Sequence, residues 1–400
     1  MGGDGEDSAG FGAAFARGGV IELPGMAALW DALPQARMVG GAVRDMLAGR
    51  RVADVDFAVP LSPEEVMARV REAGLKAVPT GLAHGTVTVV AGGRGFEVTS
   101  LRRDVLTDGR HAVVAFTDDW ELDASRRDFT INAMSATREG VVFDYFGGRE
   151  DLAAGRVRFV GEAGRRIAED YLRILRFFRF FARYGRGAPD AGAVAAIVTL
   201  RAGVGSLSAE RVWSEVKQIL LAEDPRAVVA LMRATGVLEM VLPQADEARL
   251  AGMVARGGPL DALLRVAALL RGDAGAFARR WRLSGVEQAR LEALAVPNGL
   301  APDAADAALR RALAETPAEI LIGRSWLGQD ERPGWDALRA RLAVLARPVF
   351  PLQGRDVVAL GVPPGPDVGE VLEEVRRWWL AGGCVGDARA CLERARIGLE

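Results

Sequence analysis

The stretch Val39–Val59, V-G-G-A-V-R-D-M-L-A-G-R-R-V-A-D-V-D-F-A-V, leaves few ways for a chain to fold around it. Met38 and Val39 end a strand, and Gly40 and Gly41 remove two side chains, so the backbone can turn sharply and approach a ligand closely. Ala42 to Ala48 has room for two helical turns, with Gly49 suited to their C-terminal end. The N–H groups at the start of that helix face the glycine turn, an anion-binding arrangement to which Arg44 adds positive charge. The run V-A-D-V-D-F-A-V then reads as a strand, and strand alternation puts Asp54 and Asp56 on one face. Two carboxylates so close repel each other unless a cation lies between them or one is protonated. Carboxylates combined with substrate phosphates are a usual magnesium environment. The pattern therefore points to metal-assisted phosphoryl or nucleotidyl transfer, with Asp54 and Asp56 holding Mg2+.

Taken alone, a D-x-D on a strand is most often a solvated edge, and a G-G is most often a turn. Joined as G-G-x-V-R-D-x-L-x-G-x-x-x-x-D-x-D the signal is far more specific. It resembles the signature of the class II tRNA nucleotidyltransferases and bacterial poly(A) polymerases, within the DNA polymerase beta superfamily. The resemblance implies an α+β fold: a mixed-sheet nucleotidyltransferase head followed by an all-helical neck, body and tail. The expected divisions are a disordered tail over 1–20, a head over 21–150, a neck over 151–235, and a body and tail over 236–400.

Flanking segments are read against that expectation. Pro24–Pro34 contains a short amphipathic helix, and Pro63–Ala73 a second, with Pro63 in its first turn and Glu64 and Glu65 facing the positive end of the dipole. Thr86–Val90 and Phe96–Ser100 form a hairpin about Gly92-Gly93-Arg94-Gly95. Glu97 lies on the face opposite Phe96 and Val98, usually a solvent-facing place. F-E-V-T-S-L-R is similar to the family segment whose Glu joins the catalytic carboxylates, which makes Glu97 a candidate catalytic group. Leu101–Asp123 reads as a flexible loop with one short strand, Val113–Thr117. By resemblance its length leans toward addition of a complete CCA, with His111 departing from the usual Arg-Pro after D-G-R.

Arg126-Arg127-Asp128-Phe129-Thr130-Ile131-Asn132-Ala133 resembles the family's R-R-D-F-T-x-N-A. Adjacent arginines can neutralise phosphates and Asp128 can accept from a ribose hydroxyl; the resemblance assigns Arg127 to the incoming nucleotide and Asp128 to ribose selection. Asp144-Tyr145-Phe146-Gly147-Gly148 is similar to the family's D-P-F-G-G turn, with Tyr145 in place of proline.

Ile167–Tyr184 is the second strong signal and reads as one helix. Ile174, Phe178 and Phe181 recur at helical spacing, and Leu172, Leu175, Phe177 and Phe180 widen the apolar surface. Asp170, Arg173, Arg176 and Arg179 come every third residue, with Asp170 and Arg173 as i,i+3 neighbours. A solvated face with salt bridges is the ordinary account of such charges, and it fits poorly among so many aromatic rings. The run resembles the family motif E-D-x-x-R-x-x-R-x-x-R-F, a protein template for CTP and then ATP. The resemblance assigns Asp170 and Arg173 to reading the base, and Arg176 and Arg179 to the triphosphate. Leu207–Val216 starts a further helix, with Ser208 as N-cap, and Glu210 and Arg211 in an S-x-E-R motif of structural type. The helical patterns beyond Pro225 carry no nucleotide-binding motif.

Composition narrows the classes that remain. Four hundred residues, half of them hydrophobic, are enough for more than one core. A net charge of −2 announces no nucleic-acid binder, so an RNA surface has to come from local clustering. Cys384 and Cys391 form no C-x-x-C, which disfavours a zinc site or a disulfide framework and fits a reducing cytoplasm. His84 and His111 are the only histidines, too few for a histidine-rich hydrolase centre. No apolar run spans a bilayer. The leading expectation is a cytoplasmic enzyme that adds CCA to tRNA from CTP and ATP. A poly(A) polymerase or an enzyme adding only CC or only A stays open beside it, as does an inactive RNA-binding scaffold.

Overall fold

The computed structural model describes residues 23–52, 54–107 and 112–399. The expected N-terminal tail and His111 lie outside the described residues. The chain divides into two compact units, Met1–Pro243 and Gln244–Glu400.

The first unit begins with α1 (Met26–Ala32), β1 (Arg37–Val39), α2 (Gly41–Leu47), β2 (Asp56–Val59) and α3 (Pro63–Glu72). Ser62 closes α3 with a reciprocal capping box to Glu65, which completes the start signal read from Pro63 and the two glutamates. Next come β3 (Lys76–Gly81), β4 (Thr86–Ala91) and β5 (Arg94–Ser100). A seven-stranded mixed sheet forms in the order β3-β4-β5-β2-β1, continued by β8 (Ser135–Ala136) and β9 (Val142–Phe143). Only β2 and β5 run parallel, pairing Phe57 with Val98 and Val59 with Ser100. That register places Asp56 and Glu97 one step back along adjoining strands, both exposed, while Phe57, Phe96 and Val98 are buried on the other face.

Strand β2 starts at Asp56, so Asp54 precedes it rather than lying in it. The in-out alternation nevertheless begins earlier: Asp54 is exposed, Val55 buried and Asp56 exposed. The segment after Leu101 also departs from the expected loop with one strand. β6 (Arg102–Thr107) and β7 (Ala112–Phe116) pair antiparallel as a separate two-stranded sheet, and α4 (Trp120–Ser125) follows, capped by the Asp119 carboxylate. The mixed charge of the segment concealed this pairing.

After a 3₁₀ turn over Thr130–Asn132 the sheet closes with β8 and β9, and α5 (Gly148–Ala154) begins. The turn into α5 holds without proline. The Asp144 carboxylate accepts from the N–H groups of Phe146, Gly148 and Arg149 at 3.3, 2.9 and 2.8 Å. Arg37 donates to the Tyr145 hydroxyl at 3.5 Å, tying the turn back to β1.

The helical part continues with α6 (Ala163–Glu169), α7 (Leu172–Tyr184), α8 (Ala191–Leu200), α9 (Ala209–Leu220), α10 (Arg226–Ala234) and α11 (Val237–Val241). The single helix expected over Ile167–Tyr184 is two. Asp170 is extended, with φ −156° and ψ 106°, and breaks the run between α6 and α7. Asp170 Oδ1 then accepts from the Leu172 N–H at 3.0 Å and starts α7. Seven side chains of α7 are buried, Phe177 and Phe178 fully. Phe177 and Phe180 pack on the Phe129–Phe159 pair, with centroids 4.8 Å apart for Phe129–Phe159, 5.2 Å for Phe129–Phe180 and 6.2 Å for Phe159–Phe177. This aromatic cluster fastens α7 to the R-R-D-F segment. Ser208 stands at the N-cap of α9, without a side-chain capping bond.

The second unit is all helical among its described residues. One core gathers Leu309, Leu313, Leu321, Trp335, Leu338 and Leu342; another gathers Leu352, Val375, Trp379, Cys384, Cys391 and Ala395. Trp379 packs in the second of these cores, whereas Trp378 is exposed. Both cysteines are free thiols. No helix among the described residues is long and apolar enough to cross a membrane.

Candidate active site

A cleft of about 400 Å³ opens where α2, the R-R-D-F segment, α7 and α9 meet. Gly40 and Gly41 form one wall, with Arg44 behind them; Arg127, Asp128 and Asn132 form the next; Asp170, Leu172, Arg173, Arg176 and Phe180 come from the start and middle of α7; Arg211 comes from α9. Eight of the residues singled out in the sequence thus line one cavity. Gly40 has φ +64° and ψ −121°, a backbone conformation that a side chain opposes, and a Cβ there would stand 2.9 Å from Arg127 Nη1. The positive φ is the local reason for glycine, and a side chain there would also push the Arg127 guanidinium aside.

Each of the five arginines facing the cleft has a carboxylate of the protein beside it. Arg44 pairs with Asp45 at 3.1 Å and donates to Asn132 Oδ1 at 2.5 Å. Arg127 pairs with Asp123 at 3.4 Å, and burial is the main cause that draws its proton affinity down. Arg173 pairs with Glu169 at 2.7 Å. Arg176 pairs with Asp128 at 2.5 Å and approaches Glu215 at 3.9 Å. Arg211 pairs with Asp170 at 2.6 Å.

Two of these pairings correct the expected template. Asp170 and Arg173 are not partners, because the break before α7 turns the Asp170 side chain toward α9. Arg211, read as structural, lines the cleft and holds the base-reading candidate Asp170. Asp128, expected to be open to a ribose, is enclosed: it accepts from Phe129 N–H, Asn132 Nδ2 and Arg176 Nε at 2.8, 2.9 and 2.7 Å. Burial, the largest influence on this carboxyl, would raise its pKa. Arg176 and the hydrogen bonds from Asn132 and Phe129 outweigh burial and hold the carboxyl below its ordinary range. Arg179 is not among the cleft-lining residues. Its guanidinium lies 2.8 Å from Glu215, at ion-pair distance without the alignment of a hydrogen bond.

Asp54, Asp56 and Glu97 are likewise absent from the cleft lining, but they form one electrostatic group with it. The Asp56 carboxyl sits above its ordinary range. Although the residue keeps exposed surface, desolvation by its surroundings is the main cause; Glu97 and Asp54 add repulsion, and Arg127 pulls the other way. Asp56 is thus crowded by two acids and faced by a cleft arginine. Among the described residues, no three metal-binding side chains converge closely enough to enclose an ion unaided. A hard cation held by one or two carboxylates, with the remaining oxygens from a substrate, matches this donor set.

From the sequence Asn132, Asp45, Glu169 and Glu215 received no role, and Phe180 read only as apolar surface. Asn132 stood in the quoted R-R-D-F-T-I-N run and Asp45 in V-G-G-A-V-R-D, so both carried a signal. Glu215 is buried on α9, and its carboxyl is raised by burial against the opposing pull of Arg179 and Arg176. Only the packing of α9 on α7 reveals it.

Residues 36–158 match the poly A polymerase head domain family, and residues 190–249 match the family described as the probable RNA and SrmB-binding site of polymerase A. The mitochondrial CCA tRNA nucleotidyltransferase 1 of Danio rerio is 36% identical over 366 residues, covering 86% of this chain and 83% of that protein. The CCA-adding enzyme of Geobacillus stearothermophilus is 33% identical over 379 residues, covering 86% and 88%. The crystal structure of the Bacillus stearothermophilus CCA-adding enzyme in complex with CTP aligns with a TM-score of 0.75 at 28% identity, covering 96% of this chain and 98% of that one. Seven-stranded head, helical remainder and motif-lined cleft agree with these relatives: the chain belongs to the family of CCA-adding tRNA nucleotidyltransferases and poly(A) polymerases.

Proposed function

We infer that this chain adds C, C and A in turn to the 3′ end of tRNA, taking CTP and then ATP and releasing pyrophosphate. The observation that carries the reading is the cleft itself. It brings the glycine turn, the R-R-D segment and the start of α7 onto one cavity, beside the Asp54–Asp56–Glu97 acidic group. The names of the two relatives over most of the chain support the same reaction.

The 3′-oxygen of the RNA forms a bond to the α-phosphorus, the bond from that phosphorus to the bridging oxygen breaks, and pyrophosphate leaves with its electron pair. Asp54 and Asp56 are the residues that would hold magnesium, with nucleotide phosphates completing its oxygen shell. When bound, magnesium supplies Lewis-acid activation of the attacking hydroxyl and offsets charge on the phosphates. Glu97 raises the negative potential at Asp56 and so strengthens cation binding there. Gly40 and Gly41 let the phosphates come close to the backbone, and Arg44 and Arg127 supply donors along that wall. Asp170, anchored by Arg211, and Arg173, anchored by Glu169, present an acceptor and donors at fixed places for the edge of a cytosine or an adenine. Asp128 keeps Arg176 oriented.

The test is incorporation into a tRNA lacking its terminal CCA, with each nucleotide supplied alone and then together. The expected products end in CC with CTP alone and in CCA with both. A homopolymeric tail from ATP alone on many RNA ends would instead mark a poly(A) polymerase. No incorporation under any condition would leave only RNA binding.

A further inference from the structure

A second and larger cavity, about 520 Å³, lies at the other end of the same helices, where Arg50, Arg149, Arg183 and Arg186 converge and no carboxylate contributes to the lining. We propose that this cavity is a phosphodiester-binding site for the RNA strand that enters the catalytic cleft. The proposal rests on tRNA being the substrate, as inferred above.

The ordinary explanation of clustered arginines is helix capping, and part of it holds. Arg50 donates to the Arg183 carbonyl at the end of α7 at 2.8 Å, and Arg186 donates to the Leu152 and Ala153 carbonyls at the end of α5 at 3.2 and 2.7 Å. Carbonyls fix a guanidinium in place without cancelling its charge. Among the described residues no carboxylate lies within ion-pair distance of Arg50 or Arg186, and the approach of Arg183 to Asp45 is a long 3.9 Å. Each bond to a carbonyl uses one of five N–H donors, so the fork that suits a phosphate remains. The contrast with the catalytic cleft is carried by Arg50 and Arg186, since every arginine lining that cleft has a carboxylate within 3.4 Å.

Position favours a polynucleotide over a free anion. Six residues separate Arg44 in the cleft from Arg50 in this cavity, and seven separate Arg176 from Arg183. Arg176 and Arg183 lie in one helix, and at about 1.5 Å of rise per residue their backbones are about 10 Å apart, roughly three steps of a stacked strand. Between them stands an aromatic layer, Phe180 stacked on Tyr184 with centroids 6.1 Å apart. Arg44 and Arg50 both lie over the Tyr184 ring, at 4.6 and 5.0 Å. A strand whose end sits in the cleft has backbone phosphates at the distance of the second cavity.

The test uses the full chain carrying Arg50→Gln and Arg183→Gln, with binding of a tRNA lacking CCA followed across a range of salt. Affinity should fall roughly tenfold or more, and the slope of log affinity against log salt should become shallower by about 1–2. CTP affinity and the unfolding temperature should stay as in the wild type. Should the double variant not fold, Arg50→Gln alone is read in the same way, with a slope change of about 1. Unchanged RNA affinity and slope in a folded variant would overturn the proposal. So would thermal stabilisation of the wild type by inorganic phosphate that the variant loses while its RNA binding stays intact, since that outcome marks a free-anion site. Failure of the catalytic reading looks different: the wild type would bind the tRNA and incorporate nothing, and the salt slopes would still decide the site.

Discussion

Asp170 and Arg211 meet at 2.6 Å, although 41 positions separate them in the chain. The contact makes α9 part of the cleft wall that we propose reads the nucleotide. A hydrogen bond to a charged group contributes about 1.5–3 kcal/mol. Arg211→Ala should therefore loosen discrimination between CTP and the other nucleotides by roughly 10- to 100-fold in kcat/KM ratios. Single-nucleotide incorporation with all four NTPs measures this. Selectivity equal to wild type in the variant would show that Asp170 is held by its bond to Leu172 alone.

Asp56 carries a raised carboxyl pKa, so the metal-free folded state holds its proton more tightly than the unfolded chain does. Stability of the metal-free protein should decline as pH rises from the ordinary aspartate range through that raised value. Asp56→Asn removes the repulsion. Its unfolding temperature in chelator at neutral pH should exceed that of the wild type, while incorporation falls about 100-fold or more. A variant that loses both stability and activity would mean that Asp56 serves the fold.

Arg176 neutralises Asp128, which is 8% exposed. Arg176→Ala leaves a buried charge without its partner, and the expected loss is about 3 kcal/mol, at the lower end because Arg176 itself keeps some exposure. Asp128 has a lowered pKa, so its stabilising contribution is present above the ordinary aspartate range and disappears as pH falls through the lowered value. Denaturant unfolding of Arg176→Ala should show a smaller acid-side loss than the wild type. Adding Asp128→Asn should restore most of the stability.

Gly40 holds a positive φ of 64° beside Arg127. Gly40→Ala should cost about 1–3 kcal/mol in backbone strain. It should also raise KM for the nucleotide, because the new methyl group displaces the guanidinium. Thermal unfolding and steady-state kinetics check the two effects separately, and a KM unchanged in the strained variant would exclude a role for that wall in binding phosphates.

Elements whose signals are local were legible in the sequence. The glycine turn and α2, the capped α3, the hairpin of β4 and β5 and the buried face of α7 all follow from spacing and punctuation. What escaped depends on partners far along the chain. A charge at every third residue suits one long helix, and only the extended backbone at Asp170, stabilised by Arg211 from α9, breaks it. Glu215 gave no sign of its burial against Arg176 and Arg179, because a glutamate inside an amphipathic helix looks the same whether it meets water or two guanidiniums. β6 and β7 were obscured by charges that say nothing about which backbone groups pair. The residues that line the cleft were mostly identifiable; their mutual partners were not.

The presence of an acid beside every arginine that lines the catalytic cleft has a kinetic consequence. Opposite charges 2.5–3.4 Å apart cancel each other's field within a few ångströms, so a diffusing nucleotide feels little pull until it is already inside. Capture is then governed by the fit of donors and acceptors rather than by attraction from afar, and the rate of nucleotide entry should respond only weakly to ionic strength.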